Sequence, residues 1–159
     1  MIAPIANHDR EKISEILNNT GVFNTQEITV AMEMVDEALA KNNGGDCPVF
    51  CCHDDENRFV GYICFGAVPM TDFAYDLYWI VVDKNARRKG AATELVRFME
   101  KRIAELGGEK IYVDTSSTSP YEAARAFYKR QGYSAVCVLD DFYRKGDNKI
   151  IFMKDITIK

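Results

Sequence analysis

The chain of 159 residues contains no run of about 18 uncharged apolar residues, so no segment is long enough to cross a bilayer as a helix. Met1 to Arg10 lacks a basic segment followed by an apolar stretch and a small-residue cleavage site, and the expectation is a soluble, cytoplasmic protein with no membrane partner. Positive charge is not in excess. Lys and Arg number 20 against 24 Asp and Glu, a net charge of −4, which argues against the broad electropositive face that holds a nucleic-acid backbone. Paired cysteine spacing is missing too. Cys47, Cys51, Cys52, Cys64 and Cys137 form an odd set that reads as reduced thiols. Cys51, Cys52 and His53 stand side by side, but zinc sites usually draw on spaced pairs of ligands and neighbours on a strand face opposite ways, so no metal is expected. Neither G-x-x-x-x-G-K-[ST] nor G-x-G-x-x-G occurs, which removes the signatures of nucleoside-triphosphate and nicotinamide enzymes. With no repeat, low-complexity stretch or linker, the expectation is one domain over residues 1–159.

Apolar periodicity supplies the elements. Ile13, Ile16 and Leu17 mark a short first helix. Asn24 with Glu27 reads as a capping box opening a second, in which Ile28, Met32, Val35 and Leu39 share a face. Val49 to Cys52 and Phe59 to Phe65 read as a hairpin, and Tyr75 to Val82 as a third strand. Leu95, Met99, Ile103 and Leu106 line a helix that ends at Gly107-Gly108, followed by a strand from Lys110 to Thr115. Ser119-Pro120-Tyr121-Glu122 combines an N-cap, a proline at the first helical position and a capping glutamate. Strands near Tyr133 to Leu139 and Lys149 to Ile156 close the chain. Hairpins joined to one strand-helix-strand crossover predict an α/β fold, a mixed, twisted sheet of six to seven strands with helices on both faces.

The segment with the most chemistry follows Trp79-Ile80-Val81-Val82. After a turn, Arg87-Arg88-Lys89-Gly90-Ala91-Ala92 opens a helix. The first amides of a helix lack intrahelical acceptors and lie at the positive end of its dipole, where phosphate binds well. Gly90, Ala91 and Ala92 lack the bulk that would keep a pyrophosphate away, and Arg87, Arg88 and Lys89 bring opposite charge. A tight turn beside solvated cations would leave the same residues. Arg87-x-x-Gly90-x-Ala92 resembles the acetyl-CoA motif [RQ]-x-x-G-x-[GA] of the GNAT superfamily of N-acetyltransferases. Ala124-x-x-Phe127-Tyr128-x-x-x-Gly132-Tyr133 is similar to that family's second signature, and the element order agrees from Ile5 to Ile156. The family's second motif usually begins with asparagine three residues before the alanine, where this chain has Tyr121; Ala92 replaces the commoner glycine of the first.

The resemblance implies acetyl-CoA as co-substrate, a sheet splayed at its centre, and direct attack of a primary amine, on a small molecule or peptide, on the thioester in a ternary complex. It implies that the backbone of Ile80, Val81 and Val82 carries the pantetheine arm, that the turn through Ala92 and the Tyr121 position contact the cofactor, and that Tyr128 donates a proton or hydrogen bond to the departing sulfur. A homodimer is a further possibility drawn from relatives. A base must deprotonate the amine, since an alkylammonium holds its proton at neutral pH. Asp76 is preferred, with Glu27 and Asp72 as alternatives, and each also reads as an ordinary surface or capping group. The stretch from Ala67 to Asp76 and a second loop from Asp140 to Asp147 are candidate acceptor borders. A non-catalytic acyl-CoA sensor or interaction module on the same fold is the alternative.

Overall fold

The capping box forms as the sequence predicts. The Asn24 side chain accepts from the Glu27 N–H at 2.9 Å, and the Glu27 carboxylate accepts from the Asn24 N–H at 2.7 Å. These bonds satisfy donors that the first helical turn leaves unbonded. The computed structural model describes residues 1–86 and 90–157. In chain order the elements are β1 (Ile2–Pro4), α1 (Asp9–Asn19), α2 (Thr25–Ala40), β2 (Val49–His53), β3 (Phe59–Ala67), β4 (Ala74–Val82), α3 (Ala91–Glu105), β5 (Lys110–Ser116), α4 (Glu122–Arg130), β6 (Ser134–Arg144) and β7 (Asp147–Asp155). The seven strands form one mixed sheet in the order β1-β2-β3-β4-β5-β7-β6. β4 and β5 are parallel across the α3 crossover, while β1–β2, β2–β3, β5–β7 and β6–β7 pair antiparallel. Among the described residues no helix is long and apolar enough to cross a membrane.

The chain divides into two compact units, Met1–Gly66 with Tyr78–Met99, and Ala67–Leu77 with Glu100–Lys159. In the first, the α1 face (Ile13, Ile16, Leu17) and the α2 residues Ala31, Val35 and Ala38 join Val49, Cys51, Tyr62, Cys64 and Val81 in one buried cluster; of the expected α2 face only Val35 is buried, with Ile28, Met32 and Leu39 partly buried beside it. β3 is buried on both faces from Val60 to Gly66, which explains its nearly unbroken apolar run. In the second unit, β5 pairs with β7 along its whole length, from Lys110↔Asp155 to Ser116↔Lys149. The parallel ladder between β4 and β5 is shorter: it covers Ala74–Asp76 against Lys110–Tyr112, although β4 continues to Val82.

Two expectations are corrected. Ser119 is not an N-cap: Ser119–Tyr121 form a 3-10 turn with Thr118 in the cap position, and neither this turn nor α4, which begins at Glu122, has a side-chain cap bond. The turn is fixed by other partners. Arg125 Nη1 donates to the carbonyls of Ser116 and Thr118 at 2.7 and 2.8 Å, and the Thr118 N–H donates to Ser116 Oγ at 3.0 Å. The loop expected from Asp140 to Asp147 is instead the end of a hairpin, with β6 continuing to Arg144. A register shift between Leu139 and Arg144 and a positive φ of 51° at Asp141 mark a bulge there. Asp141 Oδ1 accepts from the Gly146 N–H at 2.7 Å, so charged residues that look like a loop are absorbed into irregular pairing.

Candidate active site

β4 brings Ile80, Val81 and Val82 to the start of the turn, and its passage over β3 depends on Gly61. A Cβ at Gly61 would stand 2.5 Å from the Val81 carbonyl oxygen and 2.9 Å from Val82 Cα. The strand then breaks in an Asx turn: the Asp83 N–H donates to the Val60 carbonyl at 2.8 Å, and Asp83 Oδ1 accepts from the Asn85 N–H at 2.8 Å. Arg87, Arg88 and Lys89, the expected cationic contacts, lie outside the described residues. Gly90 has φ +87°, a left-handed value that glycine adopts without a Cβ penalty, and among the described residues a Cβ there would meet no atom within 4 Å. Its carbonyl accepts from the Glu94 N–H at 2.9 Å, so Gly90 opens α3, with buried Ala91 and half-buried Ala92 behind it. These residues all belong to the first unit.

Tyr128, Tyr121 and Asp76 belong to the second unit. Tyr128 is a buried residue of α4 whose ring meets Phe127, Tyr133 and Phe152 at centroid distances of 5.7, 6.1 and 5.9 Å. Burial pushes its phenol above the ordinary tyrosine value, so it stays protonated at neutral pH. Tyr121 ends the 3-10 turn and occupies the cap position of α4. Asp76, half-buried near the start of β4, has its carboxyl pushed up, first by burial and then by the Asp114 carboxylate, with the Lys149 ammonium opposing. Lys149 Nζ stands 2.7 Å from Asp114 Oδ2 and 4.6 Å from the centre of the Phe142 ring. The two other carboxylates differ in setting: Glu27 is engaged in the α2 capping box, and Asp72 is exposed in the turn before β4.

Residues 12–133 match the family model described as the acetyltransferase (GNAT) family. The chain belongs to the GNAT acetyltransferase family. A crystal structure from Desulfovibrio desulfuricans assigned to the same family is similar to this GNAT chain at 32% identity and a TM-score of 0.91, covering 99% of each chain. An aminoglycoside 6'-acetyltransferase type Ii is 26% identical with a TM-score of 0.76, covering 100% of this chain and 99% of that one. An aminoglycoside 6'-N-acetyltransferase complexed with coenzyme A shares the fold at 21% identity and a TM-score of 0.73, with 100% and 98% covered. Among curated proteins none matches the sequence.

Sequence reasoning about this GNAT chain overlooked the groups that set the environment of Asp76. Asp114 lies two residues beyond Tyr112, the register partner of Asp76, and so shares a face of β5 with it. That alternation is visible in the sequence, but the register that makes it matter is not. Lys149 arrives from β7, and no local pattern links it to β4. Gly61 is equally hidden, since an isolated glycine in a strand signals close approach without naming what approaches.

Proposed function

We propose that this GNAT chain works as a single N-acetyltransferase domain over residues 1–159 and transfers the acetyl group of acetyl-CoA to a primary amine. The observation that carries this reading is the run from β4 through Gly90 into α3. A helix that opens on a left-handed glycine with no described residue crowding its Cβ direction, followed by two alanines, lets phosphate oxygens reach its first amides. In this reading Arg87, Arg88 and Lys89 neutralise the pyrophosphate, Ile80, Val81 and Val82 bind the pantetheine arm through their backbones, and Tyr121 borders the cofactor. The aminoglycoside N-acetyltransferases of like fold support an amine acceptor, on a small molecule or a peptide. The exposed edge strand β6, with Val136, Val138 and Phe142 about half exposed, is where a homodimer would pair. A cytoplasmic setting suits the free cysteines.

The reaction is direct attack in a ternary complex. The neutral amine adds to the thioester carbonyl, a β4 backbone N–H stabilises the oxyanion, and the C–S bond breaks to release the CoA thiolate. Asp76 takes the amine proton, directly or through water, and Tyr128 donates to the sulfur as charge builds on it. The test is an amine panel with acetyl-CoA, following free thiol against a no-amine control. Amine-dependent thiol release with formation of the N-acetyl product is expected. Tight acetyl-CoA binding without turnover on any amine would replace the enzyme with a non-catalytic acyl-CoA sensor, and absence of binding would refute both.

A further inference from the structure

The chain has only two histidines, and both meet on one carboxylate in the first unit, at residues the transfer reaction does not use. Asp9 is the first residue of α1 and is buried. Its Oδ2 accepts from the Ala6 N–H at 2.9 Å, which fixes the carboxylate and leaves Oδ1 facing His53 Nε2 at 2.8 Å and His8 Nε2 at 3.5 Å. His53 ends β2, 44 positions from Asp9, at a shift of the β2–β3 register between Cys52 and His53, the kind of bulge that re-aims a side chain. The three ligand atoms lie within 4.8 Å of one another.

A hydrogen bond accounts for the His53 contact, whereas His8 Nε2 at 3.5 Å stands beyond hydrogen-bond range and within that of an ion pair. Around a tetrahedral zinc-type cation with bonds of about 2.0–2.1 Å, neighbouring ligand atoms stand about 3.3 Å apart. The separations on Asp9 Oδ1, 2.8 and 3.5 Å, fall on either side of that value, and with the widest separation in the trio up to 4.8 Å, a turn of the exposed His8 ring would bring the ligand atoms to it. We propose that His8 Nε2, His53 Nε2 and Asp9 Oδ1 form a binding site for a zinc-type divalent cation. Two imidazoles and a carboxylate suit zinc and its neighbours in the transition series better than magnesium or calcium. Three protein ligands leave a fourth position for water, and the trio opens on a cavity of about 970 Å³ also lined by Glu15, Asp54 and Asp83 and by the cations Lys12, paired with Glu15, and Arg58, paired with Asp54. The Ala6 N–H supplies the second-layer contact that orients a ligating carboxylate. A bound cation would tie the start of α1 to the end of β2.

Calorimetric titration of the metal-free full-length protein with ZnCl2 tests the site. One equivalent is expected to bind with micromolar or tighter affinity and to raise Tm. Co2+ is expected to give visible d–d bands without the near-ultraviolet sulfur charge-transfer band that thiolate ligation produces. The His8 side chain is 73% exposed, so His8→Ala should keep the metal-free Tm yet weaken Zn2+ binding by more than about tenfold. His8→Gln, which retains a polar group at the α1 cap, should do the same. No binding to wild type, undiminished affinity in both His8 variants, or a sulfur band abolished by Cys137→Ser would overturn the proposal. None of these readouts depends on acetyl transfer.

Discussion

Tyr128 is surrounded by the rings of Phe127, Tyr133 and Phe152, so losing its oxygen should leave the packing intact. An ordinary phenol titrates near 10 and a thiol near 8.5, and burial moves Tyr128 further up. Complete proton transfer to a thiolate is therefore uphill, and the hydroxyl acts as a hydrogen bond that strengthens as the C–S bond breaks. Tyr128→Phe is expected to lower kcat by about 100-fold and to change acetyl-CoA affinity by less than about tenfold, read from steady-state kinetics and cofactor titration. Wild-type turnover would leave the residue as packing alone. Asp76 offers a test with the opposite sign for stability and activity. Its folded pKa lies above the unfolded value, so the charged form costs stability at neutral pH, and that cost disappears as pH falls through the folded and then the unfolded value. Asp76→Asn should raise Tm at pH 7, lose that gain near pH 4, and reduce kcat/KM. A variant that is less stable at neutral pH, or fully active, would contradict the assignment.

Among the elements, β4 is closely constrained, because its last residues lie against the backbone of β3 at Gly61. Gly61→Ala places a methyl where the Val81 carbonyl oxygen and Val82 Cα already stand, and both are backbone atoms that no rotamer change can move. Overpacking of this kind typically costs about 1–3 kcal/mol. The strand must shift, and the shift falls on the residues assigned to the pantetheine arm. A folded Gly61→Ala protein is expected to have a lower Tm and clearly weaker acetyl-CoA binding. Affinity equal to wild type would show that the cofactor does not read the position of this part of β4.

At the scale of the whole molecule, what the sequence revealed was mostly local. The Asn24–Glu27 box, the face of α1, Leu95, Met99 and Ile103 of α3, and the order of strands and helices are legible because each rests on contacts within a few residues, whereas Leu106 falls past the end of α3 and is exposed, and the α2 stripe is buried through Ala31, Val35 and Ala38. The β4-to-α3 turn is legible for the same reason, since Gly90 and the alanines sit beside the strand that feeds them. Ser119 misled because its role passed to Thr118, Ser116 and Arg125. The Asp140–Asp147 stretch misled because a bulge admits charged residues to a strand. The environment of Asp76 and the meeting of His8 with His53 depend on register and chain reversal, which no window along the sequence contains.

The division of the chain has a genetic consequence. Each compact unit is assembled from two separated stretches, and the boundaries fall within β3, between Gly66 and Ala67, within β4, between Leu77 and Tyr78, and within α3, between Met99 and Glu100. No single crossover in a gene can exchange one unit for a homologue's while leaving the other whole, and no one contiguous fragment encodes either. Exchange of one unit between relatives should therefore need a crossover at all three boundaries, which makes the chain inheritable as a whole and not as two interchangeable cassettes.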